Sequence, residues 1–271
     1  MTNTSNRPVR IGVQIAPQHA SYEQLRDLVV ELETMGTDIV FNWDHFFPLS
    51  GEPDGLHFES WTMLASIAEA TSRIEFGPLV NCNTYRNPDL QADMARTIDH
   101  ISAKGGTGRF IFGTGSGWFE RDYSEYGYTF GTAGGRLDAL AEDLPRIRSR
   151  WGQLNPAPTR RIPILIGGGG EKKTLRLVAE HADIWHSFSD PDTLEHKLGV
   201  LGRHCADVGR DPSDIELSAS ASVPSAGTLD TDQLERLRSL GVSLFVHGIS
   251  APEVDLASVG ALLSWRDTTN R

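Results

Sequence analysis

The chain has 271 residues, 39% of them hydrophobic, with 25 Lys and Arg against 36 Asp and Glu, a net charge of −11. An acidic balance excludes a phosphate-neutralising nucleic-acid binder and disfavours an anionic membrane face, and no run reaches the roughly 20 apolar residues of a membrane span. The polar opening leads directly into a strand pattern, so the expectation is a cytoplasmic protein without a signal peptide.

Strand and helix patterns then alternate along the chain. Residues 9–15 read as a strand. Ser21 and Gln24 have capping-box spacing ahead of Leu25, Leu28, Val29, Leu32 and Met35 at helical period, with Gly36 placed to close the helix. The second pair is a strand at 39–41 and a helix at 61–70. The third is a strand at 74–80 and a helix from Pro88 to about Ala103, with Asn87 and Pro88 as N-cap and first helical residue. Strands at 109–112, 162–166, 184–185, 215–221 and 243–246 come next, each with its helix, at 137–150, 174–180, 194–208, a segment opened by a second capping-box candidate at Asp230 and Gln233, and 252–263. Eight strand–helix units with short connections predict a parallel sheet, and eight is the number that closes a (β/α)8 barrel, the TIM-barrel architecture. The expectation is one domain over 1–271, with a flexible terminus at 1–8 and a tail at 265–271. A doubly wound open sheet is the competing architecture.

Barrel sites lie at the C-terminal strand ends, so the residues just past each strand carry the chemistry. After the second strand, Trp43, Asp44, His45 and Phe46 put an imidazole beside a carboxylate and aromatic walls, a setting that tunes a histidine towards neutral pH. After the third, Asn81, Asn83 and Thr84 offer amide and hydroxyl groups to a polar heterocycle. After the fourth, glycines 113, 115 and 117 alternate ahead of Trp118, a weak pattern that is not a dinucleotide fingerprint. After the fifth, Gly167, Gly168, Gly169 and Gly170 run into Glu171, Lys172, Lys173 and a helix, which makes a phosphate seat from backbone N–H groups, the helix dipole and lysines. No metal is expected, because the first strand ends without a His-x-His pair, and no strand end supplies a Schiff-base lysine. Cys82 and Cys205 form neither a disulfide framework nor a zinc spacing. His57, His100, His196 and His204 read as ordinary surface or helix residues.

Trp43-Asp44-His45, the segment 79–88 ending Thr84-Tyr85-Arg86-Asn87-Pro88, the Gly-x-Gly-x-Gly run with Trp118, and 164–172 with its four glycines occur in one order. As a set they resemble the bacterial luciferase-like superfamily, in particular its branch that uses the deazaflavin coenzyme F420; the likeness runs from about residue 9 to 185. The resemblance implies a barrel oxidoreductase that moves hydride between F420 and a small alcohol, carbonyl or activated alkene. It implies His45 as the catalytic acid/base and Asp44 as a ring contact. Leu79 and Val80 would form a non-prolyl cis peptide under the coenzyme, bordered by Asn81, Gly115 and Gly117. Gly168, Gly169, Gly170 and Lys172 would take its phosphate. Trp43, Phe46 and Trp118 would wall an apolar substrate pocket, and relatives suggest a homodimer. An FMN-dependent monooxygenase and a non-catalytic flavin or deazaflavin binder are the alternatives. Three departures stand out. Sugar-phosphate dehydrogenase members have a catalytic glutamate where this chain has Trp118. Ile184 replaces a common glycine. The short connection from Trp151 to Ile162 predicts a reduced insertion after the fourth helix, hence a reduced lid and an open pocket.

Overall fold

The computed structural model describes residues 7–188, 190–223, 227–250 and 254–271. In chain order they form β1 (Arg10–Ala16), α1 (Tyr22–Met35), β2 (Ile39–Asn42), α2 (Ser60–Ala70), β3 (Glu75–Pro78), β4 (Asn81–Cys82), α3 (Pro88–Ala103), β5 (Phe112–Gly115), α4 (Glu120–Tyr126), α5 (Ala133–Trp151), β6 (Ile164–Gly167), α6 (Thr174–His181), β7 (Ile184–Ser187), α7 (Pro191–Asp207), β8 (Glu216–Ser220), α8 (Thr231–Ser239), β9 (Val242–Ser250) and α9 (Leu256–Thr269). The sheet runs β3-β2-β1-β9-β8-β7-β6-β5-β4 and every pair is parallel.

The two ends of that order are one barrel strand. β3 pairs with β2 and β4 pairs with β5, so the third strand changes partner partway along its length. The bridge between Phe76 and Phe110 closes the ring, with Phe76 N–H on Arg109 O (3.2 Å) and Ile111 N–H on Phe76 O (2.8 Å). The fold is therefore the expected (β/α)8 barrel, but the stretch 74–80 is not one continuous strand. Leu79–Val80 is a cis peptide that interrupts it. At this seam the two backbones touch. A methyl on Gly113 would sit 1.9 Å from Pro78 O, and one on Gly77 would sit 2.1 Å from Ile111 O, so side chains are excluded on both sides. The ladder to β6 begins only at Phe112, because residues 109–111 face this seam; that shifts the fourth strand from the expected 109–112 to Phe112–Gly115.

Helix ends follow the local signals. Ser21 and Gln24 complete the capping box, Gly36 closes α1 in the left-handed region, and Asn87 caps α3 ahead of Pro88. Asp230 caps α8 at Gln233 N–H, but Gln233 reaches Ser222 N–H instead of returning to the cap. The expected tail at 265–271 is helical through Thr269, held by Trp265 edge-on to Phe245 and Arg266 on Asp38. The terminus expected at 1–8 lies outside the described residues except for Arg7 and Pro8, as does Pro252.

Ile39, Phe41, Leu79, Ile111, Leu165, Ile184, Leu244 and Val246 fill the lumen, while a larger apolar layer joins the sheet to its helices. Below the lumen, Arg10 forks onto Glu216 (3.1 and 2.6 Å) and reaches Glu75 (2.7 Å), which also holds Arg160 (2.8 Å). This ion cluster ties β1, β3 and β8 together at the pole opposite the strand C-termini. Among the described residues no helix is long and apolar enough to cross a membrane.

Gly113→Ala drives a methyl into a backbone carbonyl that cannot swing aside, and a cost of about 1–3 kcal/mol or more is expected. Urea unfolding should show the lowered midpoint, with Ser116→Ala three residues on close to wild type.

Candidate active site

A cavity of about 530 Å³ opens at the C-terminal strand ends. Its lining draws on the end of β1 (Gln14), the segment after β2 (Trp43, Asp44, His45), the interruption at Leu79 and Val80, the end of β5 (Gly115, Gly117), Trp118, and Gly167 and Gly168 at the end of β6. The Asp44–His45 segment and the glycine run thus share one mouth. A groove of about 600 Å³ on the outer wall between α7 and α8 has no such convergence of strand ends.

His45 is buried, and its Nδ1 lies 2.7 Å from Asp122 Oδ2. Asp122, from the first turn of α4, also accepts Phe46 N–H (3.0 Å) and Tyr85 O–H (2.9 Å) and is inaccessible to solvent. Three donors from two loops therefore converge on one carboxylate. With Nδ1 engaged, Nε2 is the ring nitrogen left for a ligand in the cavity. Trp43, Trp118 and Phe119 each stand edge-on to the imidazole, at 6.3, 5.6 and 5.4 Å. The carboxylate paired with His45 is thus not its neighbour Asp44, and neither Asp122 nor α4 was foreseen from the sequence.

Asp44 serves a different partner. Its carboxylate accepts the Arg86 fork (2.6 and 2.9 Å) and Cys82 N–H (3.0 Å), joining the β2 end to β4. Burial pushes this carboxyl above its ordinary value, against the opposing pull of Arg86. Asp44 borders the cavity, but its donors come from the protein. Arg86 also reaches Glu59 (2.7 Å).

Leu79 and Val80 form the floor. Leu79 N–H donates to Asn42 O (2.7 Å) and its carbonyl accepts Gln14 Nε2 (2.6 Å), a residue that the sequence put in the first strand and not at the site. Methyls on Gly115 or Gly167 would strike Val80 at 2.8 and 2.9 Å, so both glycines make room for this protein side chain. Gly117, at φ +81°, lies against Tyr123 and Cys82. Asn81 borders the cavity, and its amide is engaged within the protein, accepting Trp61 Nε1–H (2.9 Å) and donating to Gln91 (2.8 Å). Asn83 and Thr84 are likewise engaged, by Asp143 (2.7 Å) and Tyr123 (2.6 Å). Of the polar groups expected after the third strand, Asn81 borders the cavity, and all three side chains have partners within the protein.

Phe46 does not line the cavity; it stacks on Tyr126 (4.1 Å) and meets Tyr85 at a tilt (4.8 Å). Phe188, 62% exposed beside Gly167, is a wall that the sequence pattern did not reveal. His57 is not an ordinary surface residue: it accepts Trp43 Nε1–H (3.2 Å), and burial lowers its pKa to about 4.

In the glycine run, Gly168 takes His186 O through its N–H (3.2 Å), and its carbonyl accepts Trp185 Nε1–H (2.7 Å). Gly169 and Gly170 make no backbone–backbone N–H bond among the described residues and lie outside the cavity lining, as does the exposed Lys172. A methyl on Gly169 would sit 2.4 Å from Lys197 Nζ, so an ammonium from α7 already rests on this backbone. The connection 152–163 leads into the N-terminal end of β6, and Thr159 there bonds Asp99 near the end of α3 (2.7 Å). It lies at the pole opposite the cavity and forms no lid. Ile184 opens β7 and packs in the lumen, so it too is remote from the mouth.

A closed barrel with this convergence at its strand ends defines a barrel enzyme. The chain belongs to the luciferase-like monooxygenase family, whose sequence profile matches residues 4–240, and is an oxidoreductase by that membership. An uncharacterized protein of Mycobacterium tuberculosis is 27% identical over 220 residues, 73% of this chain and 70% of its own. An F420-dependent glucose-6-phosphate dehydrogenase of Kineococcus radiotolerans is 27% identical over 187 residues, 63% of this chain and 54% of that one. In fold, the chain is similar to an F420-dependent secondary alcohol dehydrogenase in complex with an F420–acetone adduct (TM-score 0.81, 16% identity, 98% and 100% of the two chains). It is also similar to the FMN-bound oxygenating constituent of 3,6-diketocamphane monooxygenase from Pseudomonas putida (TM-score 0.63, 17% identity, 80% and 67%).

Arg86→Met leaves the buried Asp44 carboxylate with Cys82 N–H alone, and a loss of about 3–5 kcal/mol in unfolding free energy is expected by urea titration. A second outcome concerns acid. His186 is fully buried on Ser218 Oγ (2.8 Å), and burial lowers its pKa to about 3. The unfolded chain protonates its histidines near pH 6.5, so the stability is whole above that pH and is lost as pH falls towards the folded values of His57 and His186. His186→Asn should flatten the dependence of unfolding free energy on pH between about 6 and 4 by one proton.

Proposed function

We propose that this enzyme moves hydride between coenzyme F420 and a small alcohol, carbonyl or activated alkene, with His45 as its acid/base. The observation that carries this reading is the His45–Asp122 pair at a cavity whose other edge is the glycine run. The residues suit a flat coenzyme with an anionic tail: an apolar floor at Leu79 and Val80, and beyond Gly168 a backbone with N–H groups to offer and the ammonium of Lys197 on Gly169. Gly168, Gly169, Gly170, Lys172 and Lys197 would hold the phosphate, with Leu79, Val80 and Gly115 under the ring. Asp44 and Asn81 contribute by holding the floor in place rather than through free polar groups.

When bound, the deazaflavin supplies the hydride acceptor or donor. The chain's own part is to place the substrate, exclude water and move one proton. His45 Nε2 takes the proton of a hydroxyl being oxidised, or gives one to the oxygen of a carbonyl being reduced. Asp122 holds Nδ1–H throughout, so the ring keeps one tautomer and the charge gained at Nε2 meets a buried carboxylate. Trp118 stands where sugar-phosphate dehydrogenases carry a glutamate, which leaves His45 as the acid/base of the cavity. The FMN-bound neighbour supports a second reading, a reduced-flavin monooxygenase using the same phosphate seat.

Titration of the protein with F420, followed by coenzyme absorbance and fluorescence, should show saturable micromolar binding. No binding, or co-purification with FMN and consumption of oxygen, would replace F420 by the second reading. His45→Ala should lower kcat by about 10²–10⁴ with little change in coenzyme affinity, and Asp122→Asn should lower kcat and displace the pH profile. Wild-type turnover in His45→Ala would refute the acid/base role.

A further inference from the structure

The two ends of the cavity differ in charge. Around His45 the walls are Trp43 and Trp118, and among the described residues no lysine or arginine lines the cavity. The arginines nearby are committed. Arg86 is held by Asp44 and Glu59. Arg136 donates to Gly117 O (3.1 Å) and Phe130 O (2.8 Å) and lies 3.9 Å over the Phe130 ring. Arg121 bonds Pro53 O (2.8 Å), pairs with Asp54, and covers Phe47 at 3.9 Å. Lysine enters past Gly168, where Lys197 rests on Gly169.

A carboxylate or phosphate seated beside His45 would exchange its hydration for the indoles of Trp43 and Trp118. Among the described residues the one charged side chain bordering it, apart from the imidazole, is Asp44, of its own sign and already matched to Arg86. Such an anion has only the imidazole as a counter-charge, one already matched to the buried Asp122 carboxylate, and so keeps most of its desolvation penalty. A neutral molecule with one oxygen and an apolar body carries no such penalty: the oxygen meets His45 Nε2 and the body lies on Trp43 and Trp118.

We infer that the substrate end takes uncharged, apolar ketones, aldehydes or secondary alcohols, and rejects their phosphorylated or carboxylated counterparts. This rests on the functional reading above for which end holds the coenzyme. It separates the chain from the sugar-phosphate chemistry named for its Kineococcus relative.

The test is calorimetric binding of a matched pair, cyclohexanone and 4-oxocyclohexanecarboxylate, to protein saturated with oxidised F420, so turnover is not needed. The carboxylate should bind at least about a hundredfold more weakly than the ketone. Trp118→Lys, at an exposed rim position, should raise carboxylate affinity by about tenfold or more and weaken the ketone, which loses the indole it lies on, so the preference narrows or reverses. Equal affinities, tighter binding of the carboxylate, or no ketone binding at millimolar concentration would overturn the inference. Failure to saturate with F420 strikes the functional reading alone, and the pair then reads the inference in the free protein, where the same preference is expected.

Discussion

The contact between the third and fourth strands of the barrel governs both closure and site. Gly77 and Gly113 let the two backbones meet, at a distance that no Cβ would permit. Past that contact the third strand releases β2, crosses Leu79 and Val80, and resumes against β5. The interruption closes the ring and at the same stroke projects Leu79 and Val80 under the mouth, where Gly115 and Gly167 leave room for Val80. Gln14 and Asn42 then hold the Leu79 backbone from both sides. Closure of the barrel and the floor of the cavity are one structural event.

Two buried carboxylates divide the work above that floor. Asp44 is an architectural charge: Arg86 and Cys82 N–H occupy its lone pairs in joining two loops. Asp122 also gathers backbone and hydroxyl donors, but one of its donors is an imidazole facing the cavity. Adjacent residues, Asp44 and His45, thereby belong to separate networks. The imidazole is oriented by a helix that a sequence pattern of strand, glycine and tryptophan does not announce, because α4 has only seven residues. In the proposed function the proton is moved by a histidine whose geometry is set from 77 positions downstream.

Strand–helix alternation, the Ser21 and Asn87 caps and the closing Gly36 were legible because each depends on a few neighbouring residues. The placing of Asp44, His45 and the glycine run at one mouth was legible too, since consecutive strands of a parallel barrel all end on the same face. Gly115 and Gly117 border the cavity and also make room within the protein, for Val80 and for Tyr123 with Cys82, while Gly113 faces Pro78 at the seam. Phe46, which the resemblance placed in the pocket wall, turns instead to Tyr126, and Asn81 borders the cavity with its amide engaged by Trp61 and Gln91.

Order along the chain thus carried the architecture and the general location of the chemistry, since periodicity, capping and strand polarity are short-range properties. It was silent on which carboxylate meets His45, on Lys197 leaning across Gly169, and on the cations being drawn away from the aromatic walls. Those pairings join side chains from different loops and helices. Only closing the barrel brings them within hydrogen-bond reach, and burial then makes each pairing obligatory.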